Sequence, residues 1–314
     1  MNKILVLLSS YNGERYISDQ IKSILNQKNV DITLLIRDDG SSDNTCKIIE
    51  SFNDERIILY KEENIGCKAS FNNLIIKAHT NYFDCPYYAF SDQDDIWEEN
   101  KLFEGIKAIE SLDLNKPNMS FCNMTLVNNN IEKIKPIRDY NLDIRKGNAL
   151  ICGIAAGCTM VFNKKALDLY YQKDPLKSNI YHDYWLYLIC IFLGNIIYID
   201  KELIKYRQHS NNLVGSHAII SKKTKINKTL KFWISGQQEL RDHHFQIKCF
   251  RDSFIDFISK KDIKIINHYI NYPSSIKNKI KLIFDNNFKP VEKKKKIMMY
   301  KYILFFFKVL VVKI

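Results

Sequence analysis

Residues 32–43 read ITLLIRDDGSSD. A run of β-favouring apolar residues stops on two carboxylates. An Asp-Gly turn signal follows, and Asp43 is placed to cap a helix running to about Phe52. The same unit recurs outward in both directions. β-rich runs stand at ILVLLSS (4–10), ITLLIRD (32–38), RIILYK (56–61) and YYAFSD (87–92). Between them, residues 14–27 put Tyr16, Ile17, Ile21, Ile24 and Leu25 on one helix face, and 66–79 align Phe71, Leu74, Ile75 and Ala78. Strand alternating with helix predicts an α/β fold, a mostly parallel sheet flanked by helices. The strands lack clean polar alternation, as strands buried on both faces should. Ligands in such sheets bind outside the carboxyl ends of the strands. Those ends read SSYNG, RDDGSSD, KEENIG and SDQDD; all are polar and three carry acids, so they are expected to converge on one crevice.

The chain has 314 residues, enough for one large α/β domain or two ordinary ones. The eight cysteines are scattered without a C-x-x-C pair, which predicts reduced thiols in a cytoplasmic protein rather than a zinc site or a disulfide framework. The apolar start MNKILVLLSSYN is too short for a secretory leader, and no run reaches the ~18 apolar residues of a membrane span. The net charge of +12 is unevenly spread: −7 over 1–100, +4 over 101–215 and +15 over 216–314. The acidic first third should attract cations, and the basic last third an anionic surface. Further on, the pattern predicts a helix from Trp97 to Leu112, a strand near 119–127, a loop-like stretch near 128–148, a strand at 157–163 and a helix at 182–192. Residues 1–215 are expected to form a catalytic domain, with halves of about 1–100 and 101–215. Residues 216–314 are expected to form a helical, basic extension.

In SDQDD (91–95), Asp92 and Asp94 stand two apart at a strand end, so in extended chain their side chains point the same way. Two or three carboxylates facing one point suit a hard divalent cation, Mg2+ or Mn2+, whose open positions substrate phosphates fill. A solvated acidic loop is the competing reading. Asp38 and Asp39, at a strand end, could accept hydrogen bonds from a nucleobase or a ribose; their competing reading is a capped turn. Ser10, Tyr11 and Asn12 either line a ligand or form the turn before a helix.

The ordered series SSYNGERYI, IRDDGSSDNT, NIGCKASFNNL, SDQDDIWEENKL, GCTMVFNKKAL, HDYWLYL and YRQHSNNLVG resembles family 2 glycosyltransferases with the GT-A fold. The likeness is strongest to the bacterial rhamnosyltransferase-like branch that builds surface polysaccharides, and it covers about residues 3–215. The resemblance implies a Rossmann-like nucleotide-diphospho-sugar transferase. Ser10 and Tyr11 would contact the nucleotide and Asp39 the base, with Asn64 and Lys68 near the base or ribose. Asp92 would lie near the ribose and Asp94 on the metal, supported by Asp95. Asp183 would be the catalytic base, and Arg207 and His209 would face the diphosphate or complete the metal shell. One position departs from the branch: Ser70 stands where asparagine is frequent.

The resemblance implies an inverting, metal-dependent hexosyltransferase. Its cofactor would be Mn2+ or Mg2+, its donor a nucleotide-diphosphate sugar, and its acceptor a glycan hydroxyl, lipid-linked in O-antigen or capsule assembly. The cation would neutralise the leaving diphosphate, and Asp183 would accept the proton of the attacking hydroxyl. The polybasic KKKK at 293–296 followed by YKYILFFFKVLVV suggests peripheral attachment to the anionic cytoplasmic face of a bacterial inner membrane. A helical extension packed on the catalytic domain, or a dimer contact, is the alternative. Two other functions compete. A metal-dependent phosphate-group hydrolase is disfavoured because the first strand ends in SSYN, without an acid. A nucleic-acid-binding protein is disfavoured because the crevice is acidic and the positive charge lies after 216. No nucleic-acid partner is expected.

Overall fold

The computed structural model describes residues 1–82, 84–137, 142, 144–151, 153–173, 175, 179–209 and 228–288. The first hundred residues build a doubly wound half-sheet. Its strands are β1 (Asn2–Ser10), β2 (Val30–Asp39), β3 (Ile57–Glu62) and β4 (Tyr87–Ser91), joined by helices α1 (Ile17–Leu25), α2 (Thr45–Ser51) and α3 (Cys67–Asn81). All three pairings, β1 with β2, β1 with β4 and β2 with β3, are parallel. Ile4 to Leu8 are buried throughout because β1 is covered on both faces. The chain order runs β1, β2, β3 to one side, then returns to place β4 on the other side of β1. The switch point, and hence the expected ligand crevice, therefore falls beyond the carboxyl ends of β1 and β4.

The second half of the sheet is mixed. It comprises β5 (Ile96–Trp97), β6 (Asn118–Val127), β7 (Lys133–Pro136), β8 (Met160–Asn163) and β9 (Asn195–Arg207), in the order β3-β2-β1-β4-β8-β6-β9-β5 with β7 on β6. β8 is antiparallel to both β4 and β6, whereas β9 runs parallel to β6. Helices α4 (Lys101–Glu110), α6 (Lys164–Gln172) and α7 (His182–Leu193) belong to this half. The chain divides into two compact units, the first holding the nine strands of the described residues. The second contains the short α5 (Lys146–Ala149) with α8 (Lys228–Phe254), α9 (Lys260–Asn271) and α10 (Ile276–Phe284).

Several boundaries differ from the sequence reading. Trp97 does not open a helix: Ile96 and Trp97 pair with Ile204 and Lys205 of β9, and α4 begins at Lys101. The strand expected at 157–163 is a 3-10 turn over Gly157–Thr159 followed by β8. Asp43 precedes the α2 cap, Asn44, yet its carboxylate still accepts from the Thr45 N–H at 2.9 Å. The thirteen-residue β9 and the helix α6 carried no clear sequence assignment. The seven described cysteines are free thiols, and among the described residues no helix is long and apolar enough to cross a membrane. The polybasic tail at 293–296 lies outside the described residues.

Gly194 closes α7 and hands the chain to β9. A Cβ there would lie 1.7 Å from the Pro117 carbonyl oxygen, just ahead of β6. Gly194→Ala should therefore cost about 1–3 kcal/mol through backbone displacement, read as a lowered melting temperature. An unchanged melting temperature would show that the two strands tolerate a wider start.

Candidate active site

Two loops at the sheet's carboxyl edge are zipped together. In the first, Asn12 takes a left-handed φ of 47°. Its N–H donates to Ser41 Oγ at 2.8 Å, and its side-chain oxygen accepts from the Ser42 N–H at 2.9 Å. The Gly13 N–H donates to Thr45 Oγ1 at 2.8 Å. Asp38 accepts from Ser10 Oγ, Ser41 Oγ and the Ser41 N–H. Ser10 is thus fully buried and holds Asp38, while Tyr11 stands half exposed at the rim.

Asp39 is 2% exposed. It pairs with Arg37 and accepts from the Ile65 and Gly66 N–H groups at 2.8 and 2.9 Å. Its carboxylate fixes the turn that displays the exposed Asn64 and leads into α3. Gly40 (φ 77°) lets that turn approach, since a Cβ there would sit 3.0 Å from the Asn64 nitrogen. Arg37 is the hub beneath: buried, it also donates to Glu62, to the Glu63 carbonyl and to Ser70 Oγ, and Ser70 in turn meets Ser9 Oγ at 2.6 Å. Ser70 therefore lies under the site and acts on it through Arg37. The Lys68 ammonium donates to the Asn179 carbonyl and amide oxygens at 2.8 and 2.9 Å and sits 4.3 Å from the Tyr181 ring centroid. It ties the first turn of α3 to the segment entering α7.

β4 ends at Ser91, so strand alternation stops before the acids. Asp92 and Asp94 lie beyond the strand, and among the described residues they meet different partners. Asp94 Oδ2 lies 2.8 Å from His209 Nε2. Asp92 groups with buried Asp95 and Cys158, their potential ligand atoms all within 4.8 Å of one another. Gln93 turns the other way and bridges to β1: its side-chain oxygen accepts from the Tyr11 N–H at 2.9 Å and its amide donates to the Tyr11 carbonyl at 3.0 Å. Burial, then Asp94, then Asp183 push the Asp92 carboxyl up to about 7. Burial, then Asp94 and Asp92, push Asp95 well above the carboxylate range. A bound cation would relieve such crowding.

The end of β9 closes the site. Arg207 is buried; Nε donates to the Asp94 carbonyl at 3.0 Å, Nη1 to the Asn129 carbonyl at 3.0 Å, and Nη2 pairs with Asp19 at 3.2 Å. Its N–H donates to Asp95 Oδ1 at 3.3 Å. One carboxylate oxygen and one imidazole nitrogen, Asp94 with His209, beside Asp92, make a mixed hard and borderline donor set that fits Mn2+ at least as well as Mg2+. Asp183, in the first turn of α7, accepts from the Gly157 N–H at 3.2 Å and the Tyr184 N–H at 2.7 Å. Its neighbour His182 is buried in an aromatic slot, stacked on Phe71 at 3.8 Å and edge-on to Phe90 at 4.6 Å.

The structure thus gathers Asp94, His209 and Arg207, with Asp94 and Asp183 both near enough to Asp92 to act on it electrostatically. Ser10 and Asp39 are buried beneath the rim on which Tyr11 and Asn64 stand. Sequence reasoning missed Arg37, Gln93 and Cys158. The signals available were an arginine inside an apolar strand and an amide inside an acidic run.

Residues 5–170 match the family model described as glycosyl transferase family 2. The chain is 31% identical over 234 residues to the dTDP-rhamnosyl transferase RfbG of Shigella flexneri, covering 69% of this chain and 77% of the relative. It is 32% identical over 217 residues to the UDP-Glc:alpha-D-GlcNAc-diphosphoundecaprenol beta-1,3-glucosyltransferase WfgD of Escherichia coli, covering 67% and 79%. In fold it is similar to S. aureus TarS 1–349 solved in complex with UDP, with a TM-score of 0.56 at 14% identity over 96% of this chain and 78% of that one.

Burial lowers the His182 imidazole from 6.5 to about 4. As pH falls, the unfolded chain takes up this proton first, so the stability is complete above about 6.5 and is lost between about 6.5 and 4. Relative to His182→Leu, the wild type should lose on the order of 3 kcal/mol of unfolding free energy between pH 7 and pH 4. Urea unfolding across that range measures it; a pH-independent difference would contradict the buried neutral imidazole.

Proposed function

The chain belongs to glycosyl transferase family 2, and on that premise we propose that it is an inverting, metal-dependent transferase of polysaccharide biosynthesis. It moves a hexose from a nucleoside diphosphate sugar to a glycan hydroxyl. The observation that carries this reading is the Asp94–His209 contact, which joins the segments that follow β4 and β9. The donor nucleotide lies along the rim formed by Tyr11 and Asn64. Ser10 and Asp39 act from below by fixing those loops through Asp38 and the Ile65–Gly66 amides. Asp92 lies toward the ribose, and Lys68 braces the loop before α7 against α3. Asp94 and His209 would hold a divalent cation, Mn2+ or Mg2+, which supplies Lewis-acid neutralisation of the departing diphosphate when bound. Asp183, oriented by the Gly157 and Tyr184 amides, takes the proton of the acceptor hydroxyl as it attacks the anomeric carbon. A single displacement from the face opposite the diphosphate inverts that carbon.

The diphosphoundecaprenol in the name of one relative supports a lipid-linked acceptor, and α10 supports attachment to a membrane surface. Its outward stripe is Lys277, Ile280, Lys281 and Phe284, at spacings of three and four, with Phe284 80% exposed. Each lysine contributes about 1 kcal/mol at an anionic leaflet, and the two apolar side chains can enter the headgroup region. This reading makes the enzyme peripheral on the cytoplasmic face of the bacterial inner membrane.

Three outcomes test the proposal. In a thermal-shift panel of UDP, dTDP, GDP and CDP with and without Mn2+, one nucleotide should raise the melting temperature only with metal, and Asp94→Ala should abolish the shift. No shift with any nucleotide in folded protein sinks the donor site. Asp183→Asn should cut kcat by at least about 100-fold while keeping nucleotide binding; near-normal turnover removes Asp183 as the base. Wild type should co-sediment with anionic but not neutral phosphatidylcholine vesicles. A Lys277→Glu/Lys281→Glu/Phe284→Ser variant should co-sediment less, and equal sedimentation excludes α10 from the contact.

A further inference from the structure

Tyr16 stands immediately ahead of α1, and its pattern assigned it to an apolar helix face. Its ring does something else. It stacks on His209, with centroids 4.8 Å apart and planes 23° from parallel. The Arg207 guanidinium carbon lies 4.7 Å from the same ring centroid. The Tyr16 hydroxyl donates to the Asn129 side-chain oxygen at 3.2 Å, and Arg207 Nη1 donates to the carbonyl of that same Asn129. Asp19, one turn further along α1, takes the other end of Arg207. The turn carrying Asn129 is itself held by Asn128, whose side-chain oxygen accepts from the Asn130 and Glu132 N–H groups.

We propose that Tyr16 is a positioning residue, the aromatic shelf that sets the plane of the His209 imidazole so that Nε2 meets Asp94. The inference rests on the functional reading of Asp94 and His209 given above. A histidine at a strand end has two free side-chain torsions, and a metal ligand needs its ring plane fixed before the cation arrives. Stacking against a rigid ring restrains that plane, and Tyr16 supplies it here. The guanidinium on the same ring adds a cation–π contact, and Arg207 also holds the Asp94 carbonyl. One tyrosine therefore touches the side chain of one candidate ligand and the residue that fixes the backbone of the other. Arg207 becomes part of this clasp, with its three donor groups committed to Asp94, Asn129 and Asp19.

The test is Mn2+ affinity, read as free Mn2+ by electron paramagnetic resonance in the presence of whichever nucleoside diphosphate stabilises the wild type. Tyr16→Phe keeps the shelf and should bind Mn2+ within about twofold of wild type. Tyr16→Leu should bind at least about 10-fold more weakly, as loss of a ligand-orienting partner does. Tyr16→Met provides a second non-aromatic replacement if the leucine variant does not fold. In a His209→Ala background, Tyr16→Leu should lose much less than it does in the wild type, because most of its effect passes through His209. Wild-type affinity in folded Tyr16→Leu, or an additive loss in the double variant, overturns the inference while leaving the metal site standing. Unchanged affinity in His209→Ala alone overturns the inference together with the assignment of His209 on which it rests.

Discussion

Three carboxylates within four residues, at the end of a strand buried on both faces, set the terms for everything around them. Burial raises the proton affinity of Asp92 and Asp95, and the neighbouring charge of Asp94 raises both further. Left alone, such a loop would stay partly protonated or be driven outward into water. The surrounding chain answers with positive and polar groups from distant segments. Arg207 spans the loop's backbone, His209 meets Asp94, and Gln93 pins the loop to β1. Lys101 is buried behind it, its ammonium 3.4 Å from the Trp97 ring centroid and its pKa lowered to about 8 by burial. These groups hold the acids in place around the Asp94–His209 pair.

A second constraint follows from the topology. The crevice at the β1/β4 switch needs walls that do not collapse into it, and polar loops alone would be mobile. Asp38 and Asp39 solve this by turning inward. Each satisfies backbone amides of the next turn, so the rim residues Tyr11 and Asn64 are presented on a stiff frame. Arg37 neutralises Asp39 from inside the sheet and carries the restraint to Glu62 and Ser70. Acids that read as ligand contacts in the sequence thus hold the frame of these loops. Preorganised loops of this kind lower the ordering cost of binding a flexible nucleotide.

The parallel first half of the fold was legible because its signals are local: apolar runs of strand length, helical spacing between them, and polar stops at each strand end. The later sheet was harder to read. β9 mixes charged and apolar residues, since it pairs with both β5 and β6 and bends at register shifts, and β5 is only two residues long. The acidic motif and the HD pair were legible as motifs, and likewise the histidine near the end of β9. Which way each acid turns was not, because that depends on where β4 stops and on partners more than a hundred residues away, such as His209 for Asp94 and Arg207 for Asp95. Tyr16 illustrates the same limit: at helical spacing it reads as core, and only the return of β9 shows what its ring supports.

The central claim is that Asp94 and His209 hold a divalent cation at the end of β4, with a nucleoside diphosphate beside it. The most direct measurement is the anomalous difference density of a crystal grown with Mn2+ and the nucleotide that stabilises the enzyme. The account predicts a manganese peak bonded to Asp94 Oδ2 and His209 Nε2, with diphosphate oxygens on the remaining positions. A manganese peak held elsewhere, or ordered nucleotide with no manganese at Asp94, would contradict it.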